Sequence, residues 1–251
     1  MNIIYGIHPV LEALKKRPRS FHRLFAARES GGDDFKQIVA LARAARIPTS
    51  VIAPQELFQL CRSEQHQGVA AEVEPVSLFP FESLVSRWKQ QGEKALFLIL
   101  DSIQDPQNFG SLIRTAYCCG ATGVIFPKDR SAAITGSVAK ASSGAVEHIP
   151  LCRVVNIAAT IDLLKNEGVW IAGTAPRAAK SLYEFDFNLD MALVIGGEAK
   201  GMRQLVAKKC DFSISIPMMG ELDSLNAGVA GAVMLFEIMR QRRYLTGNAN
   251  L

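Results

Sequence analysis

Runs of apolar residues alternate with amphipathic stretches along most of this chain. Leu96 to Leu100 is apolar at every position, and Val124–Phe126, Val169–Thr174 and Ala192–Ile195 are similarly rich in apolar residues. Such runs mark strands covered on both faces, as in a parallel sheet. Between them lie stretches with helical spacing: Gly110 to Cys119, closed by Gly120, then residues 134–142, then Ile157 to Asn166. Asp101 ends the first run, Gln104 to Gly110 reads as a turn, and Ile149 to Cys152 as a further strand. Strand alternating with helix predicts an α/β sheet domain over 94–251.

The first 75 residues carry a smaller α/β pattern of their own. Ile7 to Leu14 predicts a helix with Pro9 in its first turn, where a missing N–H does no harm. Phe21–Ala26, Thr49–Ile52 and Val69–Val73 read as strands, and Phe35–Ala45 as an amphipathic helix that Pro48 stops. Pro75 to Pro80 interrupts the periodicity and Phe81 to Gln91 reads as a short helix before Gly92. Residues 76–93 therefore read as a linker between a domain over 1–75 and the larger one.

Ile214 to Glu237 closes the pattern. A short β-like run stops at Pro217, a polar loop continues through Asp223, and a helix is expected over 224–243. Its apolar positions Val229, Val233 and Phe236 recur at helical spacing, while Gly228, Ala230, Gly231 and Ala232 have almost no bulk. Small residues suit a helix pressed against another backbone, despite the propensity penalty of glycine. Ser224 and Asn226 stand at its mouth, where either is an ordinary cap residue.

Composition narrows the class. The 251 residues are 49% hydrophobic and 21% charged, enough for a sizeable core, and no apolar run reaches the ~20 residues that span a bilayer. The N-terminus lacks the pattern of a signal peptide. Cys61, Cys118, Cys119, Cys152 and Cys210 form no CxxC pair, so reduced thiols and a cytoplasmic location are expected. His8, His22, His66 and His148 are equally dispersed, and no metal site is expected. A net charge of +4 permits a nucleic-acid partner without establishing one.

In a parallel sheet, ligands bind at the carboxyl ends of the strands. Three expected strand ends here lead into polar or glycine-rich loops: Asp105-Pro106-Gln107-Asn108 after Leu100, Gly196-Gly197-Glu198-Ala199-Lys200-Gly201-Met202 after Ile195, and the stretch after Ile216. The glycine loop fits neither the dinucleotide fingerprint nor the phosphate-binding P-loop.

Taken together, the three loops resemble the motifs of the SpoU (TrmH-type) branch of the SPOUT RNA methyltransferases. Asn108-Phe109-Gly110-Ser111-Leu112-Ile113-Arg114-Thr115-Ala116 is similar to the first motif, Ile195 to Met202 to the second, and Ile216-Pro217-Met218 with Ser224-Leu225-Asn226 to the third. Tyr5-Gly6-Ile7-His8-Pro9-Val10 and His66-Gln67-Gly68 resemble the ribosomal-protein-L30-like substrate-binding module of that family. Pro127 to Ala132 adds similarity to its RlmB-type members, which methylate 23S rRNA.

The resemblance implies a trefoil-knotted SPOUT methyltransferase domain, an exception to the rule against knots, behind an L30-like domain. It implies a homodimer and transfer of a methyl group from S-adenosylmethionine to a guanosine ribose 2′-oxygen, with release of S-adenosylhomocysteine. The implied substrate is 23S rRNA or a ribosomal assembly intermediate, in the peptidyl-transferase region. A tRNA methyltransferase and a non-catalytic RNA-binding or ribosome-assembly protein are the alternatives. Carried over by motif, Gly196, Ile216 and Leu225 would hold the cofactor, with Thr174, Gly197 and Met218 lining the same pocket. Arg114, Asn108, Glu198, Ser224 and Asn226 would be catalytic. Lys128, Arg130, Lys140 and His66 are candidate RNA contacts, and Arg153 a further phosphate ligand. Gly197, Lys200 and Gly228 depart from the family's usual residues.

Overall fold

A computed structural model describes residues 2–27, 31–178, 180–198, 200–220 and 224–245. Ala199 of the glycine loop, and residues 221–223 of the expected polar loop, lie outside the described residues. The chain divides into two compact units. The first is Met1–Ser77 with Ala133–His148, and the second is Leu78–Ala132 with Ile149–Leu251.

The first unit holds strands β1 (Asn2–Tyr5), β2 (Phe21–Ala27), β3 (Thr49–Ile52) and β4 (Val69–Val73) in the order β1-β4-β2-β3. β4 is antiparallel to both neighbours, and β2 and β3 are parallel. Helices α1 (Ile7–Lys16), α2 (Asp33–Ala44) and α3 (Pro54–Cys61) connect the strands. The stretch 133–148, read from sequence as part of the larger domain, belongs to this unit. Gly136 explains how it fits: a Cβ there would fall 2.2 Å from the Ile3 carbonyl oxygen. Arg17 donates from Nε and Nη2 to the nearly buried Glu147 carboxylate at 2.6 and 2.9 Å, tying the stretch's far end to the end of α1.

In the second unit, α4 (Phe81–Gln91) precedes β5 (Leu96–Asp101), α5 (Pro106–Cys118) and β6 (Gly123–Pro127). α6 (Gly136–Ala141) lies in the first unit, and the second resumes with β7 (Leu151–Val154), α7 (Ile157–Asn166), β8 (Trp170–Thr174) and β9 (Lys180–Ser181). β10 (Met191–Gly196), α8 (Gln204–Lys209), β11 (Phe212–Ser215) and α9 (Ala227–Arg240) complete it, with one further π-helical turn at Gln241–Leu245. The strands form one parallel sheet in the order β7-β6-β5-β10-β8-β11-β9. Phe97, Ile99, Ala192 and Val194 pack against Leu84, Val85 and Trp88 of α4 and Ile157, Ile161 and Leu164 of α7. Thus α4, inside the stretch read as a linker, is part of this unit's core.

α5 and α9 pack together. α5 begins at Pro106, so the expected turn over Gln104–Gly110 is mostly helix: Asp105 Oδ2 accepts from the Asn108 amide at 2.9 Å and caps it. α9 is shorter than the expected 224–243. Asn226 Oδ1 accepts from the Gly228 and Val229 amides at 2.9 and 3.2 Å and fixes its start. Its small residues meet side chains of α5 rather than a backbone: a Cβ on Gly231 would fall 2.2 Å from Leu112 Cδ2, and one on Gly228 2.6 Å from Ser111 Oγ. Among the described residues, no helix is long and apolar enough to cross a membrane.

Candidate active site

The strand order brings the motif loops together. β5, β10, β8 and β11 are neighbours, and their registers place Asp101 beside Gly196 and Thr174 beside Ile214. The carboxyl ends of four adjacent strands thus share one rim, although β5 ends at Asp101 and β11 only at Ser215. The chain passes from β5 outward to β6 and β7, then crosses to β8 on the other side. A sheet with such a switch opens a crevice there.

That crevice is a recess of about 640 Å³, and Thr174, Gly196, Gly197, Ile216, Met218 and Leu225 all line it. Ser224, Asn226 and Glu198 border the same space. Its volume lies within the roughly 300–1,000 Å³ of ordinary ligand pockets. Three glycines (Gly196, Gly197, Gly201) and three alanines (Ala175, Ala227, Ala230) are among its lining residues, so a ligand can approach main-chain groups there.

A second recess of about 930 Å³ lies alongside, lined by Ser102, Gln104, Asp105, Arg130 and Arg203 and sharing Gly197, Glu198, Lys200 and Gly201 with the first. The glycine loop is therefore a common wall. Gly201 donates its N–H to the Gly197 carbonyl at 2.8 Å and has φ +62°, closing the loop into a turn. A Cβ on Gly197 would lie 2.5 Å from the Ser102 carbonyl oxygen, so this chain has no room for a larger residue there. Gly228 differs, since a Cβ there would meet side chains, Ser111 Oγ at 2.6 Å and Asn108 Oδ1 at 3.1 Å, rather than backbone.

The remaining expected site residues fall differently. Asn108 is buried in the first turn of α5, its Oδ1 3.1 Å from where a Gly228 Cβ would stand. Arg114, six residues on, is exposed and borders neither recess. Lys128 and Arg130 are exposed after β6 in the second unit, and Arg153 is exposed on β7. His66 and Lys140 lie in the first unit, where Lys140 Nζ donates to Gln67 Oε1 at 2.5 Å and partial burial lowers its pKa. Gly68 N–H donates to His66 Nδ1 at 3.1 Å, leaving Nε2 as the protonated nitrogen of the neutral ring. Among the described residues no His, Cys, Asp and Glu side chains gather in threes where a metal could bind. Sequence reasoning passed over Asp101 and Arg203. The available signal was a carboxylate terminating an otherwise apolar buried strand.

A parallel sheet, a glycine-rich recess at its switch point and a separate small α/β unit are the features of a ligand-binding α/β protein. Residues 95–236 match the SpoU rRNA Methylase family, and residues 3–79 match the RNA 2'-O ribose methyltransferase substrate-binding family. The protein YacO of Bacillus subtilis, assigned to the TrmH family of tRNA/rRNA methyltransferases, is 40% identical over 239 residues, 95% of each chain. The SpoU methyltransferase AviRb from Streptomyces viridochromogenes, solved with AdoMet, superimposes with a TM-score of 0.76 at 26% identity over 96% of this chain and 90% of its own. An AdoMet-bound rRNA methyltransferase from Sinorhizobium meliloti gives 0.75 at 25% identity over 95% and 87%. The chain belongs to the SpoU family of RNA methyltransferases.

Proposed function

We propose that this chain methylates the ribose 2′-oxygen of a guanosine in 23S rRNA, using S-adenosylmethionine and working as a cytoplasmic homodimer. The observation that carries the reading is the first recess. It gathers the residues of the second and third motifs, with Ser224, Asn226 and Glu198 on its border. When bound, S-adenosylmethionine supplies the electrophilic methyl group and leaves as S-adenosylhomocysteine.

The chain's own task is to position the acceptor hydroxyl in line and help with its proton. Arg114 keeps its proton in a protein and cannot serve as the base. It binds the phosphate next to the acceptor ribose and stabilises developing alkoxide character, with that phosphate or a water taking the proton. Asn108, Glu198, Ser224 and Asn226 orient the two reactants. Lys128 and Arg130 of the second unit and Lys140 and His66 of the first contact the RNA backbone.

The presence of a substrate-binding unit as well as a methyltransferase unit favours rRNA, as does the rRNA methyltransferase from Sinorhizobium meliloti that matches this chain along nearly its whole length. The exposed Val229 and Phe236 on α9, with the half-buried Val233 between them, support a second copy as partner. The knotted threading belongs to the same reading, supported by the close approach of α9 to α5.

The test is transfer of labelled methyl to unmethylated 23S rRNA and to bulk tRNA, with Arg114→Ala alongside. Label at one alkali-resistant linkage of 23S rRNA, lost in the variant, is the expected result. Label confined to tRNA overturns the substrate. Failure of both S-adenosylhomocysteine binding and transfer overturns the enzyme.

A further inference from the structure

Asp101 and Arg203 take no part in the chemistry just described, yet they join the first motif's strand to the wall between the two recesses. Asp101 is fully buried at the end of β5. Its Oδ2 accepts from the Arg203 backbone N–H at 2.7 Å and its Oδ1 from Arg203 Nε at 2.6 Å. A carboxylate held by one main-chain and one charged side-chain donor of the same residue fixes both the path and the direction of that residue. Charge-assisted bonds of this length are the strong ones.

What this pair holds is the glycine turn. β10 enters the turn at Gly196, paired with Asp101 in the sheet, and the chain leaves it at Arg203, bound to the same Asp101. Entry and exit are thus both held to Asp101, the first through its backbone pairing in the sheet and the second through its buried carboxylate. Within the turn, Gly197 lies close against Ser102, whose carbonyl oxygen is 2.5 Å from where a Gly197 Cβ would stand, and Gly201 closes on Gly197. Ser102 itself sits at φ +68°, a conformation that non-glycine residues adopt only where surroundings enforce it. Glu198 and Lys200 stand at the tip, each bordering both recesses.

We infer that Asp101 and Arg203 are a positioning pair that sets the Gly197–Met202 turn, and through it cofactor affinity and the placement of Glu198 against the acceptor. The inference rests on the reading of the first recess as a cofactor site. The pair acts before the RNA arrives, so its effect is present in the free enzyme.

The test compares wild type, Asp101→Asn, Arg203→Ala and Arg203→Lys. Hydrogen exchange at the Gly201 amide reports the turn without any ligand, calorimetry with S-adenosylhomocysteine reports the first recess, and kcat and KM report the reaction. In Arg203→Ala, Gly201 exchanges faster, S-adenosylhomocysteine binds about tenfold more weakly, and kcat falls about 100-fold, the scale of a one-ångström misplacement. Asp101→Asn behaves alike, and Arg203→Lys recovers part of each loss. The kcat loss is also much smaller when Glu198→Gln is already present, because both changes act through one group. A folded Arg203→Ala with unchanged Gly201 exchange, or kcat losses that simply add to those of Glu198→Gln, overturns the inference. If wild type binds S-adenosylhomocysteine but methylates no RNA, the proposed reaction fails while the exchange and binding arms still decide on the pair. If it binds none, Gly201 exchange alone decides.

Discussion

A Cβ placed on Gly196 would lie 2.2 Å from the backbone nitrogen of Met202. The end of β10 and the end of the glycine turn therefore lie within contact distance, with room for hydrogen but not for carbon. Because the obstacle is main chain, it cannot be relieved by a side-chain rotation. Gly196→Ala must push the turn outward, at a cost of about 1–3 kcal/mol as for other overpacked sites. The same shift moves the wall of the cofactor recess. Calorimetric titration with S-adenosylhomocysteine should show at least a roughly tenfold loss of affinity, equivalent to about 1.4 kcal/mol. An alanine variant that binds as wild type does would show that the turn is softer than these contacts require.

Asn226 carries two assignments that one pair of substitutions separates. Its Oδ1 caps α9, and loss of such a cap costs about 0.5–2 kcal/mol. The cap leaves the Nδ2 donors for a role at the recess that Asn226 borders. Asn226→Asp keeps a capping oxygen at a helix start, where negative charge is favourable, but removes those donors. It should keep the wild-type melting temperature and lose methyl transfer, by about tenfold or more for one lost hydrogen bond to the reacting groups. Asn226→Ala should lose both. Full activity in Asn226→Asp would reduce the residue to a cap.

How far the sequence could be read follows the same division between local and long-range causes. β5 and β10 were legible because a parallel strand covered on both faces is apolar at nearly every position, and α7 because its spacing is regular. β1 escaped notice: four residues, Asn2 to Tyr5, form a strand only because β4 pairs with them. α3 hid behind its short length, although Pro54 at its first position and Glu56, whose carboxylate accepts from the Ala53 amide at 3.1 Å, are local start signals. The motif residues were found through resemblance, and the sheet order explains why the second and third motif loops, distant in sequence, face one recess. Asp101 and Arg203 could not be paired in advance. They stand 102 positions apart, and their bond depends on β10 lying beside β5.

The cysteines offer a check on the core independent of function. Burial raises the thiols of Cys61, Cys152 and Cys210 to about 11 and that of Cys119, beside Cys118, to about 12. Thiolate is the reactive form, so these four should resist alkylation in the native state at neutral pH. Cys118 is exposed on the outer side of α5. Brief iodoacetamide treatment followed by peptide mass spectrometry should find label at Cys118 first, and at all five sites once the protein is denatured. Early label at Cys119 or Cys152 would contradict the packing of α5 and β7.

The last turn of α9 should give the fold part of its acid sensitivity. Glu237 is buried, and its carboxylate accepts from Arg240 Nε at 2.7 Å and Nη2 at 2.8 Å and from Gln241 Nε2 at 2.8 Å. Gln241 in turn donates to the Phe185 carbonyl and accepts from the Phe187 amide, so the network ties the end of α9 to the segment before β10. The Arg240 bonds lower the Glu237 pKa below its ordinary 4.5, against the opposing effect of burial. A carboxylate whose folded pKa is depressed stabilises the fold fully above the unfolded value. That contribution is lost as pH falls from about 4.5 through the folded pKa. Glu237→Gln should therefore be less stable than wild type at pH 7, by about 1–3 kcal/mol for hydrogen bonds to a charged group. Urea denaturation at pH 7 and again below pH 4 measures the difference, which should shrink as wild-type Glu237 takes up its proton. A gap that stays constant with pH would mean that the carboxylate's charge contributes nothing and that the variant acts through packing alone.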